Sequence, residues 1–343
     1  MHTTIWFNAL ALRPGGSGVQ TYIRELLSAL SSDTSLVMSA AVQVDALGQL
    51  PQRVTPDARP VCAGVRRALQ GLRTPAPADL VHGLDVDLPL RARGAGTVAT
   101  VHDAAVVDVP WAFPASRARA ETMLLLRSAR TADMLVVPSD FTADRIQSLF
   151  GRRPHVIPLA AASWATPPTI EDIARVRTLY GLPNRFVLQV GSTEPRKLSA
   201  LLIAAARQTS IPVVLAGLGS ERLTGRGVLG LGHVPVADLP SLYAAANIVS
   251  YLSAYEGFGL PPLEAAACGA AVMASAIEPI TAVLGDGASL VVNREDTVAT
   301  ALAELMSDAD MRHDLRERGR RRAAQFSWED TARATAEVYR MLS

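Results

Sequence analysis

Twice along this 343-residue chain, short apolar runs alternate with longer segments of helical spacing. Residues 3–8, 36–44, 80–82, 97–101 and 134–137 make the first set of runs. Residues 186–190, 212–216, 228–233, 248–252 and 272–273 make the second. Runs that are apolar throughout read as strands buried on both faces. Such strands belong to parallel sheets, whose crossovers are helices covering both faces. The helical spacing is clearest at 19–30, where Val19, Tyr22, Ile23, Leu26, Leu27 and Leu30 recur on one side. The fold class expected is α/β, with two doubly wound, mostly parallel sheets.

Composition agrees. The length suits two domains. Apolar residues at 49% and charged residues at 19% fit a packed globular chain rather than disorder. A net charge of +1 gives no global pull toward nucleic acid. Cys62 and Cys268 stand far apart in sequence, in apolar or Ala-rich surroundings. They suggest a reducing compartment, without a disulfide framework or metal spacing. No signal peptide and no uninterrupted apolar run of about 18 residues is visible. The expected location is cytoplasmic, with or without peripheral contact at the inner face of a membrane. Of the 33 basic residues, 32 are arginine, and the one lysine is Lys197. That lysine marks either a place where a compact ammonium is needed or drift in an Arg-biased sequence.

The chemistry concentrates in EGFGLPPLEAAACG, residues 256–269. Gly257 and Gly259 precede Pro261 and Pro262, and proline suits the first turn of a helix. The stretch therefore reads as a glycine loop feeding a helix from about Pro261. Glu256 falls on the loop and Glu264 in the first helical turn. A helix start attracts anions, and carboxylates bind hydroxyls. In the same half, the run 186–190 ends in Gly191-Ser192-Thr193-Glu194-Pro195-Arg196-Lys197. Both loops follow the carboxyl ends of parallel strands, where such sheets bind ligands. Adjacent guanidinium and ammonium groups suit a diphosphate. The set suits a nucleotide diphospho-sugar.

Elsewhere the signals are weaker. Pro14-Gly15-Gly16-Ser17-Gly18 lies between a strand and a helix, as in phosphate-binding turns, but lacks the third glycine of a dinucleotide fingerprint. His102-Asp103 follows the run 97–101, which makes His102 a site candidate. Asp85-Val86-Asp87 reads as a loop rather than a metal pair. Residues 51–78 carry no clear pattern, and 161–170 read as a linker. Residues 116–130 read as a helix whose arginines (Arg117, Arg119, Arg127, Arg130) face solvent. Residues 312–322 read as another solvated, Arg-rich helix. Ser327 with Asp330 three residues on resembles a capping box, for a helix reaching Leu342.

Together, GSTEPRK at 191–197, EGFGLPPLEAAACG at 256–269, GSGVQTY at 16–22, VHD at 101–103 and FSWEDTA at 326–332 resemble family 4 of the retaining glycosyltransferases. The variant is most similar to bacterial mannosyl- and rhamnosyltransferases. The resemblance implies the GT-B architecture, two Rossmann-like domains facing a cleft. Residues 1–163 would form the acceptor domain, with the helix 328–343 packing back on it, and 164–327 the donor domain. It implies transfer of a hexose from a GDP-, dTDP- or UDP-linked sugar to an acceptor hydroxyl. The acceptor would be a glycan, a lipid-linked saccharide or a small molecule. No metal or other cofactor is implied, and no nucleic-acid partner. Arg196 and Lys197 would hold the diphosphate, Glu264 the ribose, and Glu256 the donor sugar. Backbone N–H groups of Phe258, Gly259 and Leu260 would meet sugar and phosphate. Val234 would border the base, Gly18 would admit a phosphate or the acceptor, and His102 would orient the sugar. The chain departs from the pattern at Leu198, where Asn is common, at Asn247 for Asp, at Leu252 and Ala271 for prolines, and at Thr281-Ala282 for Pro-Glu. Rival readings are a nucleotide-sugar epimerase, a nicotinamide-dependent oxidoreductase and a catalytically silent sugar-nucleotide binder.

Overall fold

The computed structural model describes residues 2–15, 18–73 and 75–342. The chain divides into two compact units, Met1–Leu159 with Ser327–Ser343, and Ala160–Phe326.

The first unit is built on seven strands: β1 (Thr3–Asn8), β2 (Leu36–Gln43), β3 (Val54–Arg59), β4 (Leu80–Gly83), β5 (Gly96–Thr100), β6 (Met134–Val137) and β7 (His155–Val156). Their order is β3-β2-β1-β4-β5-β6-β7, and every pairing is parallel. The second unit has six: β8 (Val187–Val190), β9 (Val213–Ala216), β10 (Val228–Gly230), β11 (Ile248–Tyr251), β12 (Val272–Ser275) and β13 (Ser289–Val291). Their order is β10-β9-β8-β11-β12-β13, again all parallel. β4, β9, β11 and β12 are buried along their whole length, and β1, β5 and β6 are buried beyond their first one or two residues. Helices close a core around Trp6, Val81 and Leu125 in the first unit, and around Val187, Ile248 and Leu302 in the second.

In each sheet the chain winds outward on one side and then returns beside its first strand. β4 lies against β1, and β11 against β8. The loops after these paired strands lead in opposite directions, which opens a crevice at their carboxyl ends.

Several expectations change. The unassigned stretch 51–78 contains β3 and a helix, Gly64–Gly71. β3 is the edge of its sheet, so it is largely exposed after Val54 and tolerates Pro56. The linker ends early, because Thr169 caps a helix, Ile170–Leu179, by accepting from Asp172 N at 3.1 Å. Of the arginines placed in solvent, Arg127 is half-buried and donates to the carbonyls of Leu88 and Pro89, both at 2.6 Å. Gly16 and Ser17, the centre of the early glycine loop, lie outside the described residues. Asp85-Val86-Asp87 is a loop, with Asp87 buried and paired to Arg67 at 2.9 Å. Among the described residues no helix is long and apolar enough to cross a membrane.

The helix Trp328–Arg340 starts where Ser327 accepts from Asp330 N at 3.0 Å. The capping box is not reciprocal, because the Asp330 carboxylate takes the Ser327 hydroxyl at 2.6 Å. The helix ends at Arg340, short of Leu342. It belongs to the first unit and buries Trp328, Ala332, Ala336 and Tyr339. Tyr339 OH lies 2.6 Å from His82 Nδ1 on β4, and Thr100 Oγ1 lies 2.9 Å from His82 Nε2. Tyr22 OH reaches the same Thr100 hydroxyl at 2.8 Å. His82 is wholly buried between hydroxyls, so no carboxylate favours its charged form. Burial, with the His102 charge as a second cause, pushes its pKa down to about 3.

This has a measurable consequence. An unfolded histidine titrates near 6.5. Below that pH the unfolded chain takes a proton that folded His82 refuses. Its contribution to stability therefore falls as pH drops from about 6.5 toward 3, by up to about 1.4 kcal/mol per pH unit. In folded protein the His82 imidazole resonance should not titrate between pH 8 and 5. A midpoint near 6.5 by NMR would refute the neutral, hydroxyl-clamped ring.

Candidate active site

The crevice of the second unit lies where β8 and β11 part. After β8 the chain forms the turn Pro195–Lys197, and Pro195 occupies its first position, where no N–H is needed. After β11 it runs through Glu256 to the helix Leu260–Ala267. Gly259 has φ 106°, a left-handed conformation open to glycine, and Pro261 and Pro262 sit in the first helical turn. The helix thus begins one residue before the expected Pro261. Glu264 is its fifth residue, past the first turn.

The two loops are bonded to each other. Arg196 O accepts from Ala254 N at 2.8 Å and from Ser253 Oγ at 3.1 Å. Lys197 O accepts from Gln189 Nε2 on β8 at 2.7 Å. Ser253 N donates to Ser275 Oγ at 2.8 Å, and the Ser275 hydroxyl donates to Asn293 Oδ1 at 2.5 Å. Asn293 Nδ2 returns to Ser253 O at 2.9 Å. Residues at the ends of four strands are therefore held in one network.

That network brings three predicted residues together. Lys197 Nζ lies 2.5 Å from Glu256 Oε1 and 2.8 Å from Tyr251 OH. Arg196 Nη1 lies 3.3 Å from the same Glu256 oxygen, and Arg196 Nε lies 3.1 Å from Glu194 Oε2. The side chains of Lys197 and Glu256 are only 12% and 9% exposed. Burial works to raise the Glu256 carboxyl, but Lys197 and Arg196 overcome it and hold the group below the ordinary carboxylate range. For Lys197 burial prevails, and its pKa lies below the usual lysine range despite Glu256. The cluster places two positive and two negative charges at one strand junction.

The other predicted residues are distributed as follows. Glu264 is buried, and its charge helps raise the pKa values of Tyr243 and Cys268, each of which is raised first by burial. Phe258 and Leu260 are buried, and Phe258 meets Phe326 edge to face at 6.0 Å. Val234 is buried after β10 while its neighbour His233 is exposed. In the first unit, His102 lies just past β5, with Nε2 3.0 Å from Leu84 O and its ring T-shaped to Tyr22 at 4.8 Å. Gly18 opens the helix Gly18–Leu30 and is exposed.

Tyr251, Ser253, Gln189 and Asn293 were not singled out from sequence. Tyr251 had a usable signal, because it ends the strand that delivers Glu256. Asn293 had none, since only the sheet order brings β13 to this edge. Among the described residues no group of three or more His, Cys, Asp or Glu side chains is placed to hold a metal. A surface hollow of about 440 Å³ is lined by Arg318, Arg321 and Arg322, but Arg318 and Arg322 are bonded to the carbonyls of Asp286 and Val283.

Residues 173–322 match the family model of glycosyl transferases group 1, and residues 16–160 that of glycosyltransferase family 4. The O-antigen chain mannosyltransferase B of Escherichia coli is 33% identical over 286 residues, which make up 77% of this chain and 74% of that protein. A sucrose-phosphate synthase from Thermosynechococcus elongatus superposes with a TM-score of 0.80 over 99% of both chains, at 22% identity. Anabaena HepE, in a structure with UDP and glucose, gives 0.74 over 99% of both chains, at 19% identity. This chain belongs to the group 1 glycosyltransferases of family 4. It is a transferase of the two-Rossmann-domain GT-B fold.

The close approach of the β8 and β9 loops makes a test of the site's scaffold. Gly217 has φ 137°, and a Cβ there would lie 2.0 Å from Gly191 O. Gly217→Ala should cost about 2 kcal/mol or more, through strain and overpacking. Gly225→Ala, with nothing within 4 Å of its Cβ, is the neutral control. Equal urea midpoints for the two variants would show that the loops do not depend on this contact.

Proposed function

We propose that the second unit binds a nucleotide diphospho-sugar and that the enzyme transfers its hexose, mannose- or rhamnose-like, to an acceptor hydroxyl with retention at the anomeric carbon. The observation that carries this reading is the Arg196–Lys197–Glu256 cluster at the β8–β11 crevice. As the bond from the anomeric carbon to the diphosphate breaks, negative charge grows on the departing phosphate oxygens. Arg196 meets that charge with a planar fork and Lys197 with a point charge, both on a loop that the network holds in place beforehand. No metal ion is needed in this scheme, because the two cations take its role. Glu256 faces the donor sugar, where its carboxylate accepts from hydroxyls and offsets positive charge developing at the anomeric carbon. Glu264 takes the ribose hydroxyls. The N–H groups at 258–260, at the start of the helix, add donors for sugar and phosphate. Val234 borders the base. In the first unit, Gly18 admits a phosphate or the acceptor, and His102 orients the sugar.

Two similarities support the donor class. The Escherichia coli relative is named a mannosyltransferase, and HepE has been crystallised with UDP and with UDP-glucose. The acceptor class proposed is a glycan, a lipid-linked saccharide or a small hydroxylated molecule.

A melting-temperature panel with UDP, GDP and dTDP, then with their sugars, tests the reading. A ligand present at about 100 times its Kd stabilises the folded state by about 2.7 kcal/mol, an upward shift of a few degrees. One nucleotide should shift the wild type, and Lys197→Ala and Glu264→Ala should lose the shift. Glu256→Ala should keep the shift while transfer falls about 100-fold or more. Wild-type turnover by purified Lys197→Ala, with every donor tried, sinks the proposal.

A further inference from the structure

Backbone contacts fix Arg196 and Lys197 as residues, but they do not fix the lysine side chain. Lysine carries a point charge on a stem of four flexible bonds, and a freely moving ammonium is poorly preorganised. Among its polar contacts, two groups hold this one. Glu256 Oε1 takes one N–H at 2.5 Å, and Tyr251 OH accepts another at 2.8 Å. Lys197 Nζ lies 4.9 Å from the Tyr251 ring centre, so the near contact is the hydroxyl rather than the ring face. Tyr251 itself is immobile: it ends β11, pairs with Ala274 of β12, and is 4% exposed.

The two restraints differ in kind. Glu256 sits on a loop and, in the function proposed above, faces the donor sugar, so its hydrogen bonds change when the donor binds. Tyr251 sits on a central strand, buried and paired to β12. We infer that Tyr251 is a positioning residue: its hydroxyl holds the Lys197 ammonium at the diphosphate site while Glu256 turns to the sugar. An ammonium has three N–H donors. With Tyr251 and Glu256 holding two, the third meets a phosphate oxygen. When Glu256 releases its share, Tyr251 keeps the charge in place.

The inference rests on the donor-site reading, and the lone lysine allows a test that separates the two. With lysine labelled at Cε, the protein shows a single lysine resonance. Tyr251→Phe keeps the ring and removes the acceptor that favours the charged ammonium. Lys197 should then titrate at lower pH than in the wild type. The alkaline limb of kcat should move the same way, with kcat down about tenfold and UDP, GDP or dTDP binding changed only a few-fold. A titration and a kcat limb that both match the wild type would overturn the role, leaving Tyr251 as core packing. Glu256→Gln gives a second measurement that does not require the Phe variant to fold. With the ion pair gone, Tyr251 should still keep the Lys197 Cε order parameter above about 0.6, and a mobile lysine there would overturn the inference. A wild type that responds to none of the three nucleotides would instead refute the donor site, whatever Tyr251 does.

Discussion

Two cations on adjacent residues repel each other, and burying them costs more than burying either alone. They stay charged in a nearly closed site only if negative groups are held with them. Glu256 supplies most of that requirement. One of its oxygens faces both Lys197 and Arg196, and Glu194 balances the outer side of the guanidinium. The direction of the shifts shows the compromise: Glu256 is held below the ordinary carboxylate range, and Lys197 is left below the usual lysine range. A site near neutrality when empty has a functional use. In the donor-site reading proposed above, such a cluster would stay folded without ligand and let an incoming diphosphate compete for cations already in place.

The constraint reaches into the backbone. A short, aimed ion pair between residues 59 apart in sequence needs two loops whose positions do not drift. Here the Arg196 carbonyl is bonded by Ser253, just past β11, and the Lys197 carbonyl by Gln189 of β8, and Asn293 reaches back to Ser253 from past the edge strand. The crevice exists because β11 returns beside β8 after the chain has wound out to β10. Laid down in simple sequence order, β8 and β11 would be separated by β9 and β10.

Much of this was legible in the sequence, for physical reasons that also mark where legibility stops. Fully apolar runs announce buried parallel strands, and Pro261 and Pro262 after Gly259 announce a helix start, so both motif loops could be placed at strand ends. The edge strand β3 was missed because an edge need not be apolar and can carry Pro56. Arg127 was placed in solvent because helical spacing does not show that Leu88 and Pro89 offer carbonyls to it. Tyr251, which ends the strand that delivers Glu256, could have been read, whereas Asn293 escaped because its role depends on strand order, and order is set by packing across the whole sheet. The same holds for His82, whose partner Tyr339 is 257 residues away in sequence.

The departures from the family pattern follow the same logic once each position's demand is known. Leu198 has φ 49° and ψ 31°, the left-handed region that Asn visits more readily than other side chains, at about 1–2 kcal/mol for an ordinary residue. Leucine is tolerated because its side chain packs on the second core. Asn247 accepts from Phe186 N at 3.0 Å, a task its amide oxygen performs as well as an aspartate would. Leu252 and Ala271 are fully buried, and the Ala271 carbonyl accepts from Val249 within the sheet. At these four positions the residues answer local demands of backbone and core, whereas nothing in the structure explains Thr281-Ala282, which lies within the helix Glu278–Leu284.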